Sequence, residues 1–272
     1  MIQRIAPNVK IFGRLRYTAR RMDRFPSEFD DLLNRRGRRL VANPPKLDAL
    51  IAKRQTPILL LTDVIDDDVA RDCIRLLDDA LYPHLRRMHY PIPRSLLTGM
   101  KENYAEQLPK TMRVRTATFG PRRSNALDAA REIGLAGMMM SKSFLAFAQA
   151  VTDPPLERNG WGQQVICYEN GDYSGPHNDH HPENESERHG FVDLHVMFSN
   201  DAVAGQLLVY EDRGYLSTAH DVSARGAIAI YRLPFWHYTT PLQAKPGREY
   251  DARRWLLLGS FAYDPPLKKL AY

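Results

Sequence analysis

From residue 162 to about residue 263 the chain is cut into short apolar or alternating runs, separated by Gly, Pro, Asn and Asp. These runs read as strands near 163–169, 174–179, 191–198, 205–210, 226–232, 236–241 and 253–262. Many short strands at regular spacing indicate an antiparallel sandwich, jelly roll or barrel. The first 160 residues are mostly helical by the same reading, so the expected class is α+β: a β core with N-terminal supporting helices.

Upstream, "PILLLTDV" at 57–64 reads as a buried strand. The run "DDDVARDCIRLLDDALYPHL" then spaces its apolar residues as an amphipathic helix, with Asp66 to Asp68 at its positive end. "PSEFDDLLNRRGRRL" predicts a short helix capped by Ser27 and stopped by its glycine. "MRVRTATFG" at 112–120 alternates like a strand, and 125–152 reads as one long helix broken near Gly134 or Gly137. The methionines and phenylalanines of that helix suit a core, where Met fills irregular gaps.

Charge is distributed unevenly. Residues 1–56 hold fourteen Lys or Arg against five acids, a local charge of +9 within a chain whose total is +6. A solvated basic helix pair is the favoured reading of this segment. Nucleic acid remains open as a partner without being favoured, because no helix-turn-helix or finger signature accompanies the charge. The expected organisation is a basic helical extension at 1–55 and a domain at 56–272, with helical support at 65–152 and a β core at 162–263. Two scattered cysteines, Cys73 and Cys167, make neither a disulfide framework nor a zinc motif, and suit a reducing cytoplasm. No apolar run is long enough for a membrane span.

"YSGPHNDHHPENE" at 173–185 concentrates metal-ligating side chains. On a strand, residues two apart share a face, so His177 and Asp179 would point one way and Asn178 and His180 the other. For a third ligand, His195 lies in the core-like strand "FVDLHVMF", where a hydrogen-bonded core role is expected, and His220 sits in the polar turn "STAHDVSARG". His237 follows the apolar strand "RGAIAIYRLPFW" and suits the mouth of a barrel. Two histidines and a carboxylate with open positions describe the facial triad of non-haem Fe(II) oxygenases, whereas structural zinc sites are closed. Downstream, "ARRWLLLGSF" begins an apolar strand with arginine. Arg254 aimed inward would need an anion, and its planar fork suits a carboxylate. Arg253 has the opposite parity and is the reserve candidate, and Arg248 lies too far into the loop.

In order along the chain, "TPILLLTDVIDDDVARDCIRLLDDAL", "VICYENGDYSGPHNDHH", "FVDLHVMFSN", "AGQLLVYED", "SARGAIAIYRLPFWHYTTPL" and "RRWLLLGSF" resemble the Fe(II)/2-oxoglutarate-dependent oxygenases, in their prolyl 4-hydroxylase-like branch. The resemblance covers 56–82 and 162–263. It implies a double-stranded β-helix, a cupin-like jelly roll, in which His177, Asp179 and His237 bind Fe(II). Arg254 would then pair with the distal carboxylate of 2-oxoglutarate, and Tyr168 would donate its hydroxyl to the same co-substrate.

The activity implied is hydroxylation of an unactivated C–H bond with release of succinate and CO2. Fe(II) is the implied cofactor and 2-oxoglutarate and O2 the co-substrates, with ascorbate as an optional addition. The substrate class it suggests is a small molecule, or an amino acid, peptide or protein residue. The rival reading is a cupin-like barrel that binds metal or ligand without turnover. Two features depart from the family: an enlarged segment "QAKPGREYDA" before Arg254, and a polar insertion "HHPENESERHG" after Asp179. The insertion reads as a lid or substrate loop, with His180, His181 and His189 solvated.

Overall fold

Nine consecutive residues, Phe191–Ser199, form a strand that is buried at every position. That requires cover on both faces, and the two covers differ. Val192, Leu194, Val196 and Phe198 meet a helical layer, joining Phe29, Leu32, Ile74, Leu77, Phe144 and Phe147 in the larger core cluster. Phe191 and Met197, of opposite parity, enter a second cluster with Ile166, Tyr168, Leu208, Tyr210 and Leu256. Asp193 and His195 share this inner parity.

The computed structural model describes residues 21–53, 56–94, 110–159, 163–180, 183–212 and 214–268. Of the basic residues in 1–56, Arg4, Lys10, Arg14, Arg16, Arg20 and Arg54 lie outside the described residues, as does His181. The helices are α1 (Arg35–Ala42), α2 (Leu47–Ala52), α3 (Asp67–Leu76), α4 (Asn125–Glu132), α5 (Leu135–Met139) and α6 (Lys142–Ala150). The strands begin with β1 (Ile58–Leu61), β2 (Arg86–Pro91), β3 (Thr111–Phe119), β4 (Leu156–Arg158), β5 (Gln163–Glu169), β6 (Tyr173–Ser174) and β7 (Phe191–Ser199). They continue with β8 (Val203–Gly205), β9 (Leu207–Asp212), β10 (Tyr215–Asp221), β11 (Ala227–Leu233), β12 (His237–Thr239), β13 (Gln243–Ala244) and β14 (Arg253–Tyr263).

Among the described residues the large sheet runs β1-β11-β7-β14-β5-β3-β2, with β4 against β14 and β6 against β3. A small sheet, β10-β9-β12, and a β13-β8 ribbon complete the strands. The class is α+β, and the core is a double-stranded β-helix of jelly-roll type, as expected. Register sets what faces the interior: Arg254 lies opposite Tyr168 and Ser199, and Leu258 opposite Gln164 and His195. Tyr231 lies opposite Asp193.

Several local readings are corrected. The predicted helix from Ser27 is a short 3-10 turn, Phe29–Leu32, followed by α1. Asn34, not Ser27, caps α1, accepting from the backbone N–H of Arg36 and Gly37. Gly37 lies inside the helix because a Cβ there would meet Val64 O at 2.7 Å. The long helix at 125–152 is three helices, turned at Gly134, whose φ is +80°, and restarted by the Ser141 cap. The strand expected at 174–179 stops at Ser174, and His220 belongs to β10 rather than to a turn.

The described part of the basic segment packs on the same core as the rest. Phe29 meets Phe144 and Phe147 edge-on at 5.1 and 5.2 Å, and Asp48 pairs with Arg232 at 2.7 Å. Arg35, Arg36, Arg38 and Arg39 are exposed, a solvated basic face as expected. Among the described residues no helix is long and apolar enough to cross a membrane.

Candidate metal centre and co-substrate pocket

Beyond Ser174 the chain leaves the β3 ladder and forms one reciprocal backbone pair: His177 N–H to His237 O at 3.0 Å and His237 N–H to His177 O at 2.9 Å. This isolated bridge, not a continuous strand, sets the two imidazoles side by side, with centroids 4.4 Å apart. Asp179 has φ +52°, a left-handed conformation that Asp tolerates better than most residues. Strand parity is therefore not what aligns Asp179 with His177; the turned backbone does it.

Each imidazole is held from behind. Nδ1 of His177 lies 2.6 Å from Gly175 O, and Nδ1 of His237 lies 2.9 Å from Phe235 O. A carbonyl can only accept, so both Nδ1 atoms carry a proton, which leaves Nε2 of each ring as the metal-facing nitrogen. Those Nε2 atoms sit 3.4 and 3.5 Å from the two Asp179 oxygens. Two ligands about 2.1 Å from one ion at right angles would be about 3 Å apart, so the donor set fits a divalent ion with little adjustment. Among the described residues this is the one group of three such side chains that converges.

Burial, reinforced by the neighbouring His177, drives the His237 imidazole down to about 4, so it is neutral at physiological pH. For His177 burial also pulls downward, but the Asp179 carboxylate outweighs it and the pKa lies above the ordinary value.

A cavity of about 110 Å³ opens beside the triad, lined also by Tyr168, Arg254, Thr239, Asp193, His195 and Tyr231. Arg254 is 2% exposed. Its Nε donates to Val222 O at 2.7 Å and its Nη1 to Gln206 Oε1 at 3.1 Å, and its guanidinium lies 5.1 Å from the centre of the Tyr168 ring. Among the described residues no carboxylate ion-pairs with it. Burial lowers its pKa, though guanidinium stays charged. A desolvated cation without an anion is costly unless a ligand supplies one, which fits a dicarboxylate co-substrate. Burial raises the pKa of Tyr168, so its hydroxyl remains a donor.

Arg253 faces the other way, 4.0 Å above the Tyr82 ring and 3.6 Å from Asp78. Arg248 pairs with Asp251 in the exposed turn.

No family model matches the chain, and no curated protein matches it. Solved structures do match. The chain is similar to 2OG-Fe(II) oxygenases. One is an oxidoreductase of the 2OG-Fe(II) oxygenase family from Burkholderia pseudomallei, at 12% identity and TM-score 0.49, covering 85% of this chain and 96% of that one. A prolyl-4-hydroxylase from Pseudomonas putida matches at 15% identity and TM-score 0.43, covering 82% and 98%. A prolyl hydroxylase from Trichoplax adhaerens, solved with a hypoxia inducible factor oxygen degradation domain peptide fragment, matches at 11% identity and TM-score 0.49, covering 84% and 91%.

The five residues singled out in the sequence, His177, Asp179, His237, Arg254 and Tyr168, all line this one cavity. His220 lies outside it, with Nε2 3.2 Å from the Tyr210 hydroxyl. His180 and His189 are half-buried rather than freely solvated, and the His180 ring meets Arg188 O. The sequence reading does not single out Asp193, and His195 is not the satisfied core histidine expected: among the described residues its Nε2 has no hydrogen-bond partner. The available signal was two polar residues, two apart, inside an otherwise apolar strand.

Proposed function

We propose that the protein is an Fe(II)- and 2-oxoglutarate-dependent dioxygenase that hydroxylates an unactivated C–H bond of an amino acid, peptide or protein residue. The observation that supports this best is the convergence of two Nε2 atoms, each fixed by a backbone carbonyl on Nδ1, with the Asp179 carboxylate. In this reading His177, Asp179 and His237 hold the metal on one face and leave its other positions open. Asp179 also separates the chain from halogenating relatives, which carry a small residue at that place.

Arg254 takes the distal carboxylate of 2-oxoglutarate, and the Tyr168 hydroxyl donates to the same molecule. Neutral His237 needs no deprotonation before it binds metal. Ile166, Leu208, Phe191 and Leu256 line the cavity with apolar surface that excludes water. Bound Fe(II), with 2-oxoglutarate and O2, supplies the oxidising power for hydroxylation, with succinate and CO2 as by-products.

The test is an anaerobic visible titration of metal-free protein with Fe(II) and then 2-oxoglutarate. The expected result is a charge-transfer band that needs both additions and disappears in His177→Ala. Iron-loaded, folded protein without such a band would replace this reading by a cupin-like binder without turnover.

A further inference from the structure

We propose that Asp193 and His195 form the substrate-recognition pair of this cavity, and that the group they bind is a protonated amine. The inference rests on the oxygenase reading for the word substrate, but the binding itself is independent of turnover. Both residues lie on β7 with inward parity and line the cavity that contains His177, Asp179, His237 and Arg254. They are 5% and 8% exposed. Among the described residues Asp193 Oδ1 and His195 Nε2 have no hydrogen-bond partner. Their closest mutual approach, Asp193 Oδ2 to His195 Nε2, is 3.8 Å, beyond hydrogen-bond reach. Buried polar atoms are normally satisfied within the protein, and these two, with Ser174 Oγ, belong to residues that line the same cavity, which marks a place for a ligand.

Charge selects the kind of ligand. Among the described residues, the charged side chains lining the cavity are Asp179, Asp193 and Arg254. At formal charges, with histidine counted as uncharged, they sum to one negative charge. A divalent metal and a dicarboxylate dianion cancel each other, so the loaded cavity keeps the same single negative charge. A ligand bearing one positive charge balances it, and an ammonium group offers three donors, enough for Asp193 Oδ1 and His195 Nε2 together. The charge of Arg254 is already in this sum, and among the described residues it forms no ion pair with Asp193.

Position selects the role. The Tyr231 ring lies 4.2 Å from the His195 ring and 6.0 Å from the His237 ring. A nitrogen held at the pair would therefore set carbons a few bonds away across Tyr231 from the triad, within the span that a reacting C–H bond must occupy. The aromatic face of Tyr231 also suits a cation.

The test uses the full chain loaded with Zn(II), which is redox-inert, and 2-oxoglutarate, with n-butylammonium and neutral n-butanol as probes and saturation-transfer NMR as the readout. The expected result is at least tenfold tighter binding of n-butylammonium, a preference abolished in Asp193→Asn and weakened in His195→Phe. Equal binding of the two probes by wild type, or a preference that survives Asp193→Asn, would overturn the proposal. The thermal midpoint of unliganded Asp193→Asn is a second readout. A ligand-binding carboxylate with an unsatisfied oxygen predicts a midpoint at or above that of wild type, whereas a lower midpoint assigns Asp193 a structural role and overturns the proposal. Repeating the NMR on metal-free protein separates the two readings. There the amine preference persists even if the Fe(II) and 2-oxoglutarate band is absent.

Discussion

Replacing Arg254 by Met, which is apolar and comparably long, removes the one Lys or Arg that lines the cavity among the described residues. The guanidinium is 2% exposed, with two hydrogen bonds to oxygen and no carboxylate partner among the described residues. An incoming carboxylate would therefore form a desolvated charge pair, and truncating one side of such a pair costs about 2–5 kcal/mol. At about 1.4 kcal/mol per tenfold, the Kd for 2-oxoglutarate should rise roughly 30- to 3,000-fold. Unliganded stability should change far less. The substitution leaves Val222 O and Gln206 Oε1 without their donor, which destabilises, but it also removes an unpaired buried charge, which stabilises.

Isothermal titration of 2-oxoglutarate into Zn(II)-loaded protein measures the first effect, and urea unfolding of the metal-free chain measures the second. Arg253→Met is the control, since that side chain lies over Tyr82 on the outer face. A Kd for Arg254→Met within threefold of wild type, or a larger loss in Arg253→Met, would refute the assignment of Arg254 as the carboxylate anchor.

Metal affinity should fall as pH drops through the raised pKa of His177, with proton release on metal binding that grows as pH falls, read from titrations in buffers of different ionisation enthalpy. His237, lowered from 6.5 to about 4, should add no second proton until the pH nears that value. In the metal-free protein the unfolded chain protonates this residue first, so His237 withdraws stability as pH falls from 6.5 towards 4. His177 acts in the opposite sense: its contribution is complete below the unfolded value and is lost as pH rises through the folded one.

Asn34→Ala should cost about 0.5–2 kcal/mol in urea unfolding, because its side chain caps two N–H groups of α1. Gly259→Ala should cost about 1–3 kcal/mol, since the added methyl would collide with Phe144 and Gln163. Gly137→Ala, where nothing stands within 4 Å, should instead stabilise by up to about 1 kcal/mol.

The sequence by itself determined the β core, its helical cover and the residue types of the candidate centre, because strand alternation, turn residues and a metal-ligating cluster are local signals. Parity puts Arg253 and Arg254 on opposite faces of their strand without deciding which is the anchor, and in the structure it is Arg254 that lines the cavity. Tertiary structure decided the rest. His177 and Asp179 align through a non-local bridge to His237 and a left-handed turn, not through the strand face that their spacing suggested. Gly37 and Gly259 are required by close approach to Val64 and Phe144, which no local pattern reveals. Asp193 and His195 read as a core strand because their neighbours are apolar. Only the folding of one sheet over another shows that this strand faces a cavity, since whether a polar side chain is satisfied depends on what lies across the barrel.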